Sequence, residues 1–170
     1  QPGNVLITGG AQRIGRALAE DLVQHGWGVA IHYRRSKEAA HAAVSTIEKR
    51  GGRAIAIAAD LMNETASRSL LNMAKNELGQ ITCLINNASC FERDSADSAT
   101  RKSWDQHMEI NLRAPLVLTQ EFRSLLDTNS KGCVINILDE RVWNLTPHFL
   151  SYTVSKSALW TLTQTLALAL

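Results

Sequence analysis

Short apolar runs alternate with longer amphipathic stretches along the whole chain. The apolar runs lack the alternation of half-exposed strands and end at glycines or polar turns, which is typical of strands buried on both faces of a parallel sheet. Strands are therefore predicted at residues 4–8, 28–33, 53–58, 81–86 and 132–138. Helical periodicity predicts helices at residues 14–25, 37–49, 64–78, 103–126 and 150–170.

The order of these elements predicts the fold class. Parallel strands need crossover connections, and such crossovers are right-handed in nearly all proteins. A doubly wound α/β fold follows, in which helices cover both faces of a parallel sheet. No linker divides residues 1–170, so a single domain is predicted. Because the chain ends inside an apolar helix without a glycine or proline stop, we expect it to be incomplete at its C-terminus.

Composition narrows the class of protein. The 170 residues include 18 basic and 16 acidic side chains, mixed along the chain, for a net charge of +2. Nucleic-acid binding is not expected without a basic stripe, and no apolar run reaches the roughly 18 residues of a membrane span. Cys83, Cys90 and Cys133 share no C-x-x-C spacing, and no leader-like segment precedes the first strand. These features predict reduced, buried thiols in a cytoplasmic protein.

The histidines and tryptophans show no metal-binding pattern. No histidine has metal-ligand spacing with cysteine or acidic residues, so no metal site is predicted, and surface or helix-end positions are expected. The tryptophans are expected to be packing residues. The residues concerned are His25, His32, His41, His107, His148, Trp27, Trp104, Trp143 and Trp160.

A glycine-rich turn, T-G-G-A-Q-R-I-G at residues 8–15, connects the first strand to the first helix. Glycines let the backbone approach a pyrophosphate, and a helix N-terminus offers free N–H groups and a positive dipole end. A plain turn is the alternative, because the spacing is not G-x-G-x-x-G. The candidate cofactor-binding residues here are Gly9, Arg13, Ile14 and Gly15, and Arg13 is also a candidate substrate contact.

The end of the second strand, H-Y-R-R-S at residues 32–36, bears on the choice of cofactor. Enzymes that use NAD usually place an acidic residue there to bind the ribose 2′-hydroxyl. Two arginines and a serine instead suit a 2′-phosphate, because guanidinium binds phosphate with two parallel hydrogen bonds. NADP(H) is therefore predicted, with a solvated basic turn as the alternative. The candidate cofactor-binding residues are Tyr33, Arg34, Arg35 and Ser36.

Tyr152 and Lys156 form a Y-x-x-x-K pair in the last predicted helix. Side chains at i and i+4 lie on the same helix face. A phenol has a pKa of about 10, and a neighbouring ammonium would lower it toward the range useful for acid–base catalysis. We therefore expect a catalytic tyrosine with a lowered pKa.

These motifs occur in a characteristic order. The glycine-rich turn follows the first strand, N-N-A-S at residues 86–89 follows the fourth, Asn111 lies in the next helix, and Y-x-x-x-K follows the fifth strand. In this order the chain resembles the short-chain dehydrogenase/reductase family over essentially its whole length. The resemblance implies a Rossmann-like fold and further cofactor contacts by Asp60, Leu61, Asn87, Ala88 and Ser89.

The same resemblance implies catalytic roles and exposes one departure. Tyr152 would exchange the proton with the substrate, and Lys156 would bind the nicotinamide ribose. Asn111 would support a proton relay through water. The family normally has serine thirteen residues before the tyrosine, where this chain has Asp139. A catalytically silent protein is one interpretation of that loss.

A narrower resemblance accounts for Asp139. The pteridine reductases, and the bacterial dihydromonapterin and dihydrofolate reductases similar to them, carry aspartate there together with R-I-G, H-Y-x-R-S and N-A-S-x-F motifs like those of this chain. This resemblance implies that Asp139, with a pKa raised by partial desolvation, passes a proton through Tyr152. It also implies that Phe91 stacks on the pterin, and that Ser89 and Arg13 contact the pterin and the cofactor phosphates.

NADPH-dependent reduction of a pteridine, a dihydropterin or a dihydrofolate, is the leading hypothesis. The alternatives are a reductase of another carbonyl substrate and a catalytically silent NADP-binding protein. Trp143 and Phe149 are candidates for the substrate mouth, and Arg141 and His148 for contact with an acidic substrate tail. The apolar surplus of the helices at 103–126 and 150–170, by resemblance, implies a homodimer or homotetramer.

Overall fold

The computed structural model describes residues 2–170, which contain a five-stranded sheet in the order β3-β2-β1-β4-β5. The strands are Asn4–Ile7 (β1), Gly28–Tyr33 (β2), Arg53–Ala58 (β3), Ile81–Asn86 (β4) and Cys133–Asn136 (β5). The α-helices are Arg13–Gln24 (α1), Lys37–Lys49 (α2), Glu64–Leu78 (α3), Arg101–Met108 (α4), Ala114–Leu125 (α5) and Leu150–Ala169 (α6). Within this part of the chain, no helix combines the length and apolar character needed to cross a membrane.

Helices cover both faces of the sheet, and β1 shows why. Successive side chains of a strand point to opposite faces. Val5 and Ile7 pack on the face covered by α1 and α2, whereas Leu6 packs with Leu70 of α3 and Leu118 of α5 on the other face. All neighbouring strands in the order given above are parallel. The predicted doubly wound, Rossmann-like α/β fold is confirmed.

The strand order creates a crevice beside β1. Because β1 lies between β2 and β4, the chain leaves the sheet in opposite directions on its two sides, and a crevice opens at the carboxyl ends of these strands. Thr8, which directly follows β1, is buried, and its Oγ1 accepts hydrogen bonds from the N–H groups of Asn87 and Ala88, each at 3.0 Å. These bonds hold the loop after β4 against the first turn.

The predicted helix over residues 103–126 is interrupted. A π-helical turn, Glu109–Arg113, separates α4 from α5. Pro115 has no N–H to donate to the carbonyl of Asn111 four residues earlier, so the regular ladder of hydrogen bonds breaks and a wider turn results. The other differences are at element ends, where β1 stops at Ile7, α1 starts at Arg13 and β5 is confined to Cys133–Asn136.

Three side chains lie where the sequence did not predict them. His32 is buried within β2 rather than at the surface or a helix end. His107, by contrast, lies at a helix end as predicted, in the last turn of α4, where it is fully buried. Cys133 is exposed because β5 is an edge strand of the described sheet, so the prediction of three buried thiols is wrong for this residue. Trp143 is 75% exposed and does not pack in the core.

Candidate active site

A cleft of about 600 Å³ opens at the carboxyl edge of the sheet and is lined by residues that follow all five strands. Most of the predicted site residues line it, namely Gly9, Arg13, Ile14, Gly15, Arg34, Asp60, Leu61, Asn87, Ala88, Ser89, Phe91, Asp139, Tyr152 and Lys156. Tyr33, Arg35, Ser36 and Asn111 are not among the lining residues. The sequence reasoning missed other lining residues, namely Gln12, His32, Cys90, Glu92, Gln106, Ile110, Ile137 and Leu138.

The glycine-rich turn is packed tightly against the loop after β4. Gly9 has a φ of +62°, in the left-handed region, and a Cβ added at Gly15 would collide with the Gly9 carbonyl oxygen and the Asn87 amide nitrogen. The Asn87 amide donates to the carbonyls of Thr8 and Gly9 at 2.9 and 3.1 Å. Side chains larger than glycine are therefore excluded at position 15, and the backbone itself forms this part of the cleft wall.

His32 fixes the same turn from the other side. Its Nδ1 accepts a hydrogen bond from the Gly9 N–H at 3.1 Å, so the ring proton is on Nε2, which lies 3.1 Å from the Ala59 carbonyl oxygen. Burial lowers the pKa of His32 to about 4, although the Ala59 carbonyl and Asp60 act in the opposite direction. The neutral imidazole thus joins the turn after β1 to the chain after β3. The one hint in the sequence was a histidine inside a fully apolar strand.

The two arginines at the basic end of β2 have different positions relative to the cleft. Arg34 lines the cleft and its Nη1 lies 3.9 Å from Asp60 Oδ1, while Arg35 is exposed and is not among the lining residues. Tyr33 is buried and contacts the ring of His41 edge-on, with 6.1 Å between ring centroids. Of the two adjacent arginines, only Arg34 is therefore in place to meet a group bound in the cleft.

Tyr152, Lys156 and Asp139 meet at the opposite end of the cleft. The Tyr152 hydroxyl donates to Asp139 Oδ2 at 2.8 Å, and Lys156 Nζ donates to the Ile137 carbonyl at 2.7 Å. Burial and the Asp139 carboxylate together raise the pKa of Tyr152 well above its usual range. The expected lowering by the ammonium is therefore wrong, because the carboxylate touches the hydroxyl whereas Lys156 Nζ lies 5.9 Å from the ring centre. Burial also lowers the pKa of Lys156, to about 8, against the attraction of Asp139.

Asp139 is held as a carboxylate. It precedes a 3₁₀ turn, Glu140–Val142, and its Oδ1 accepts the Arg141 N–H at 3.0 Å. Burial acts to raise the pKa of Asp139, but the hydrogen bonds from Arg141 and Tyr152 and the charges of Arg141 and Lys156 hold it below its ordinary value. The sequence-based expectation of a raised pKa is wrong, because it counted the desolvation and not these donors.

Asn111 lies in the π-helical turn with its amide buried. Its Oδ1 accepts from the Cys90 N–H at 2.8 Å and from Ser89 Oγ at 3.2 Å, and its Nδ2 donates to the Cys90 carbonyl and to Ser155 Oγ, both at 3.0 Å. An amide offers two donors and two acceptor sites, so none is left for a water molecule. The Asn111 side chain joins the loop after β4 to α6. It has no free donor or acceptor with which to bind the water molecule of the expected proton relay.

Aromatic rings cover the reaction end of the cleft. Phe91 is half-exposed, stacks on Phe149 with centroids 4.3 Å apart and rings inclined by 7°, and meets Tyr152 edge-on at 4.6 Å. The candidate mouth residue Trp143 instead contacts Trp160 at 5.9 Å. The stacked rings of Phe91 and Phe149 therefore form a flat apolar wall beside Tyr152.

The loop after β4 is anchored to the start of α6 by Asp94, which the sequence reasoning missed. The buried Asp94 accepts from Ser151 through its N–H at 3.0 Å and its hydroxyl at 2.5 Å, and from the Ser103 hydroxyl at 3.1 Å. Its backbone carbonyl accepts the N–H groups of Phe149 and Leu150 at 2.8 and 3.4 Å. Because Phe149, the residue before α6, supplies no side-chain cap, Asp94 takes that role and sets the start of the helix that carries Tyr152.

Comparison with known proteins agrees with this geometry. Residues 3–170 match the family described as short chain dehydrogenase. The chain is 30% identical over 154 residues to an uncharacterized oxidoreductase of Methylorubrum extorquens, a match that covers 91% of this chain and 61% of that protein. The protein described here belongs to the short-chain dehydrogenase family, and it spans less than two thirds of the length of that relative.

Two crystal structures are similar in both fold and sequence. One is the FolM alternative dihydrofolate reductase 1 from Brucella canis complexed with NADP, which is 44% identical with a TM-score of 0.94 over 98% of this chain and 67% of that one. The other is the corresponding enzyme from Brucella suis in complex with NADP, 45% identical with a TM-score of 0.94 over 98% of this chain and 69% of that one. The similarity to the pteridine-reductase-like subgroup is thus present in fold and in sequence.

Proposed function

We propose that this protein is an NADPH-dependent oxidoreductase that reduces a pteridine, either a dihydropterin or a dihydrofolate. The observation that carries the proposal is the hydrogen bond from the Tyr152 hydroxyl to Asp139, 2.8 Å long, at the position where the family normally has serine. The half-exposed ring of Phe91 stands beside this pair, as a flat heterocycle requires. The similarity to two dihydrofolate reductases supports the same substrate class.

The cleft fits a dinucleotide phosphorylated on its adenosine ribose. Gly15 lets the first turn pack directly against Gly9 and Asn87, so that backbone forms the cleft wall there. The end of β2 offers Arg34 rather than an acidic residue. When bound, NADPH supplies the hydride. The lining residues that would hold it are Gly9, Arg13, Ile14, Gly15, Arg34, Asp60, Leu61, Asn87, Ala88, Ser89, Tyr152 and Lys156. Tyr33, Arg35 and Ser36, also predicted from the sequence, lie outside the lining and would act from the rim.

Reduction of a C=N bond requires a proton at nitrogen as well as a hydride at carbon. The Tyr152 hydroxyl carries that proton, since Asp139 beside it is ionised and accepts its hydrogen bond. On transfer the proton gives up this hydrogen bond, the O–H bond of Tyr152 breaks and an N–H bond forms on the pteridine. The buried ammonium of Lys156 lies on the same side and offsets the negative charge that remains after proton transfer. Phe91 stacks on the pteridine, with Arg13 and Ser89 at its polar edge, and Asn111 keeps the surrounding loop in place.

The assembly and location of the protein are part of the same proposal. Val154 and Leu168 of α6 are exposed, which leaves apolar surface for a second copy. We propose a homodimer or homotetramer in the cytoplasm, without a nucleic-acid, membrane or metal partner. Light scattering coupled to size-exclusion chromatography measures the oligomer size, and a monomer at micromolar concentration contradicts the assembly.

The test of the activity is steady-state oxidation of NADPH by the full-length protein. Dihydrobiopterin, dihydromonapterin and dihydrofolate are compared with a panel of ketones under one set of conditions. Turnover of at least one pteridine well above the ketones supports the proposal. Turnover of ketones alone means a reductase of another carbonyl substrate, and tight NADPH binding without hydride transfer to any of these compounds means a catalytically silent protein.

A further inference from the structure

Arg141 lies directly behind the catalytic carboxylate, outside the cleft lining. Its side chain folds back from the 3₁₀ turn so that Nη1 lies 3.4 Å from Asp139 Oδ1, the same oxygen that accepts the Arg141 N–H at 3.0 Å. Both side chains are 23% exposed. Within residues 2–170, all hydrogen bonds of the Arg141 side chain go to Asp139, and its buried Nε has no acceptor there.

Two aromatic rings hold the guanidinium in this position. Its central carbon lies 5.3 Å from the ring centre of Phe91 and 5.1 Å from that of Phe149, and the two rings stack on each other. Cation–π contacts of this kind are stronger where water is excluded. Because Phe149 has a left-handed φ of 58° at the start of α6, its ring position is tied to the backbone geometry of that helix.

We propose that Arg141 is a positioning residue for proton transfer, which keeps Asp139 ionised so that its Oδ2 holds the Tyr152 hydroxyl toward the cleft. This inference rests on the proposed reductase function. The two carboxylate oxygens of Asp139 have different partners, because Oδ1 accepts from Arg141 and Oδ2 accepts from Tyr152. The guanidinium therefore acts on the hydroxyl through the carboxylate.

Electrostatics explain why one cation in this place matters. The charged or titratable groups that act on Asp139 are Arg141 from its own turn and Tyr152 and Lys156 from α6, whereas Phe91 from the loop after β4 is apolar. Lys156 directs its Nζ to the Ile137 carbonyl rather than to the carboxylate. The backbone N–H of residue 141 donates to Oδ1 whatever side chain it carries. Loss of the guanidinium charge would leave burial less opposed, which favours the protonated carboxyl and makes Oδ2 a poorer acceptor for the tyrosine.

The experiment compares Arg141→Gln with Arg141→Lys in the full-length protein, using two readouts. The first is the ¹³C resonance of the Asp139 carboxyl, assigned by its loss in Asp139→Asn and titrated without substrate. In Arg141→Gln we expect its midpoint to rise by about one pH unit or more, and by less in Arg141→Lys, which keeps the charge and loses the planar fork. Arg50→Gln, which removes an exposed arginine at the end of α2, is the matched control and should leave the midpoint unchanged.

The second readout is the pH profile of kcat/KM with the pteridine that the wild type reduces. The acid limb should move to higher pH in Arg141→Gln by the same amount, with activity approaching that of the wild type on the alkaline side. A uniform loss at every pH, with the Asp139 midpoint unmoved, overturns the inference and indicates a merely structural arginine.

The two readouts separate this inference from the proposed function. If no pteridine is reduced by the wild type, the proposed function fails, and the carboxyl titration still decides whether Arg141 controls Asp139. If Arg141→Gln does not fold, the comparison of wild type with Arg141→Lys decides. A wild-type midpoint above the ordinary aspartate value of about 3.9, or one equal to that of Arg141→Lys, contradicts the inference, and a lower midpoint in the wild type than in Arg141→Lys supports it.

Discussion

The two ends of the cleft are built in different ways. At the nucleotide end the backbone forms the cleft wall, because Gly9 and Gly15 bring the first turn close to Asn87 and leave no room for side chains. At the reaction end, Tyr152, Asp139 and Phe91 come from three separate segments and meet only through tertiary packing. We expect substitutions at the first end to act through shape, and those at the second through charge and proton position.

Tyr152→Phe tests the reaction end most directly and should have the largest effect. Loss of the hydroxyl removes the proton donor, and general acid catalysis contributes about 10²–10⁴-fold to rates. We expect kcat to fall by about 1,000-fold while NADPH affinity, measured by fluorescence titration, stays nearly unchanged. Substantial residual turnover means that another group supplies the proton.

Gly15→Ala tests the nucleotide end by shape alone. The added Cβ would collide with the Gly9 carbonyl and the Asn87 amide, so the turn has to move. A displacement of about 1 Å can cost roughly 100-fold in kcat/KM, and NADPH binding should weaken with it.

Gly51→Ala is the matched control for this substitution. Gly51 also has a positive φ, of 80°, but no atom lies within 4 Å of an added Cβ. It should lower the free energy of unfolding by about 1 kcal/mol and leave NADPH affinity unchanged. Equal effects of the two substitutions on NADPH affinity contradict the steric explanation.

Arg34→Ala and Arg35→Ala, made separately, test charge at the nucleotide end. Charge-assisted hydrogen bonds contribute about 1.5–3 kcal/mol, so Arg34→Ala should weaken NADPH by about 30-fold and NADH much less. Because only Arg34 lines the cleft, Arg35→Ala should have a small effect. Similar losses for NADPH and NADH in Arg34→Ala contradict recognition of the 2′-phosphate.

His32 should affect stability as a function of pH and leave activity at neutral pH almost unchanged. Its pKa falls from 6.5 to about 4 in the folded protein, so the unfolded chain binds more protons between these values. The free energy of unfolding should therefore rise with pH across this window, by up to roughly 3 kcal/mol at about 1.4 kcal/mol per pH unit.

Denaturant unfolding at a series of pH values measures this dependence. His32→Gln should flatten the rise, whereas His25→Gln, at an exposed position at the end of α1, should not. An unchanged slope in His32→Gln assigns the pH dependence to other groups.

The sequence predicted the nucleotide end better than the reaction end. The bounds of β2, α2, β3, α3 and β4 agree with the apolar pattern, because each element is bounded by glycine or polar caps nearby in the chain. The interruption at Glu109–Arg113 was missed, although Pro115 is its cause, because the apolar periodicity continues across it.

The protonation of Tyr152 and Asp139 could not be read from spacing. Both pKa directions depend on which donors surround the carboxylate. One of these, the Arg141 guanidinium, reaches it only because the 3₁₀ turn folds back and two rings hold the guanidinium. His32 was missed for a similar reason, since its partners Gly9 and Ala59 lie 23 and 27 residues away in the chain.

The anchoring of the loop after β4 restricts how a flat heterocycle reaches the site. Asp94 closes the N-terminal end of α6, so swinging this loop outward would leave three backbone donors unpaired and loosen the helix that bears the reactive phenol. Because the loop is fixed, we expect a flat ligand to enter by rotation of the half-exposed Phe91 ring about its own side-chain bonds. Entry of the ligand then depends on side-chain rotamers, which exchange far faster than a hinged segment moves.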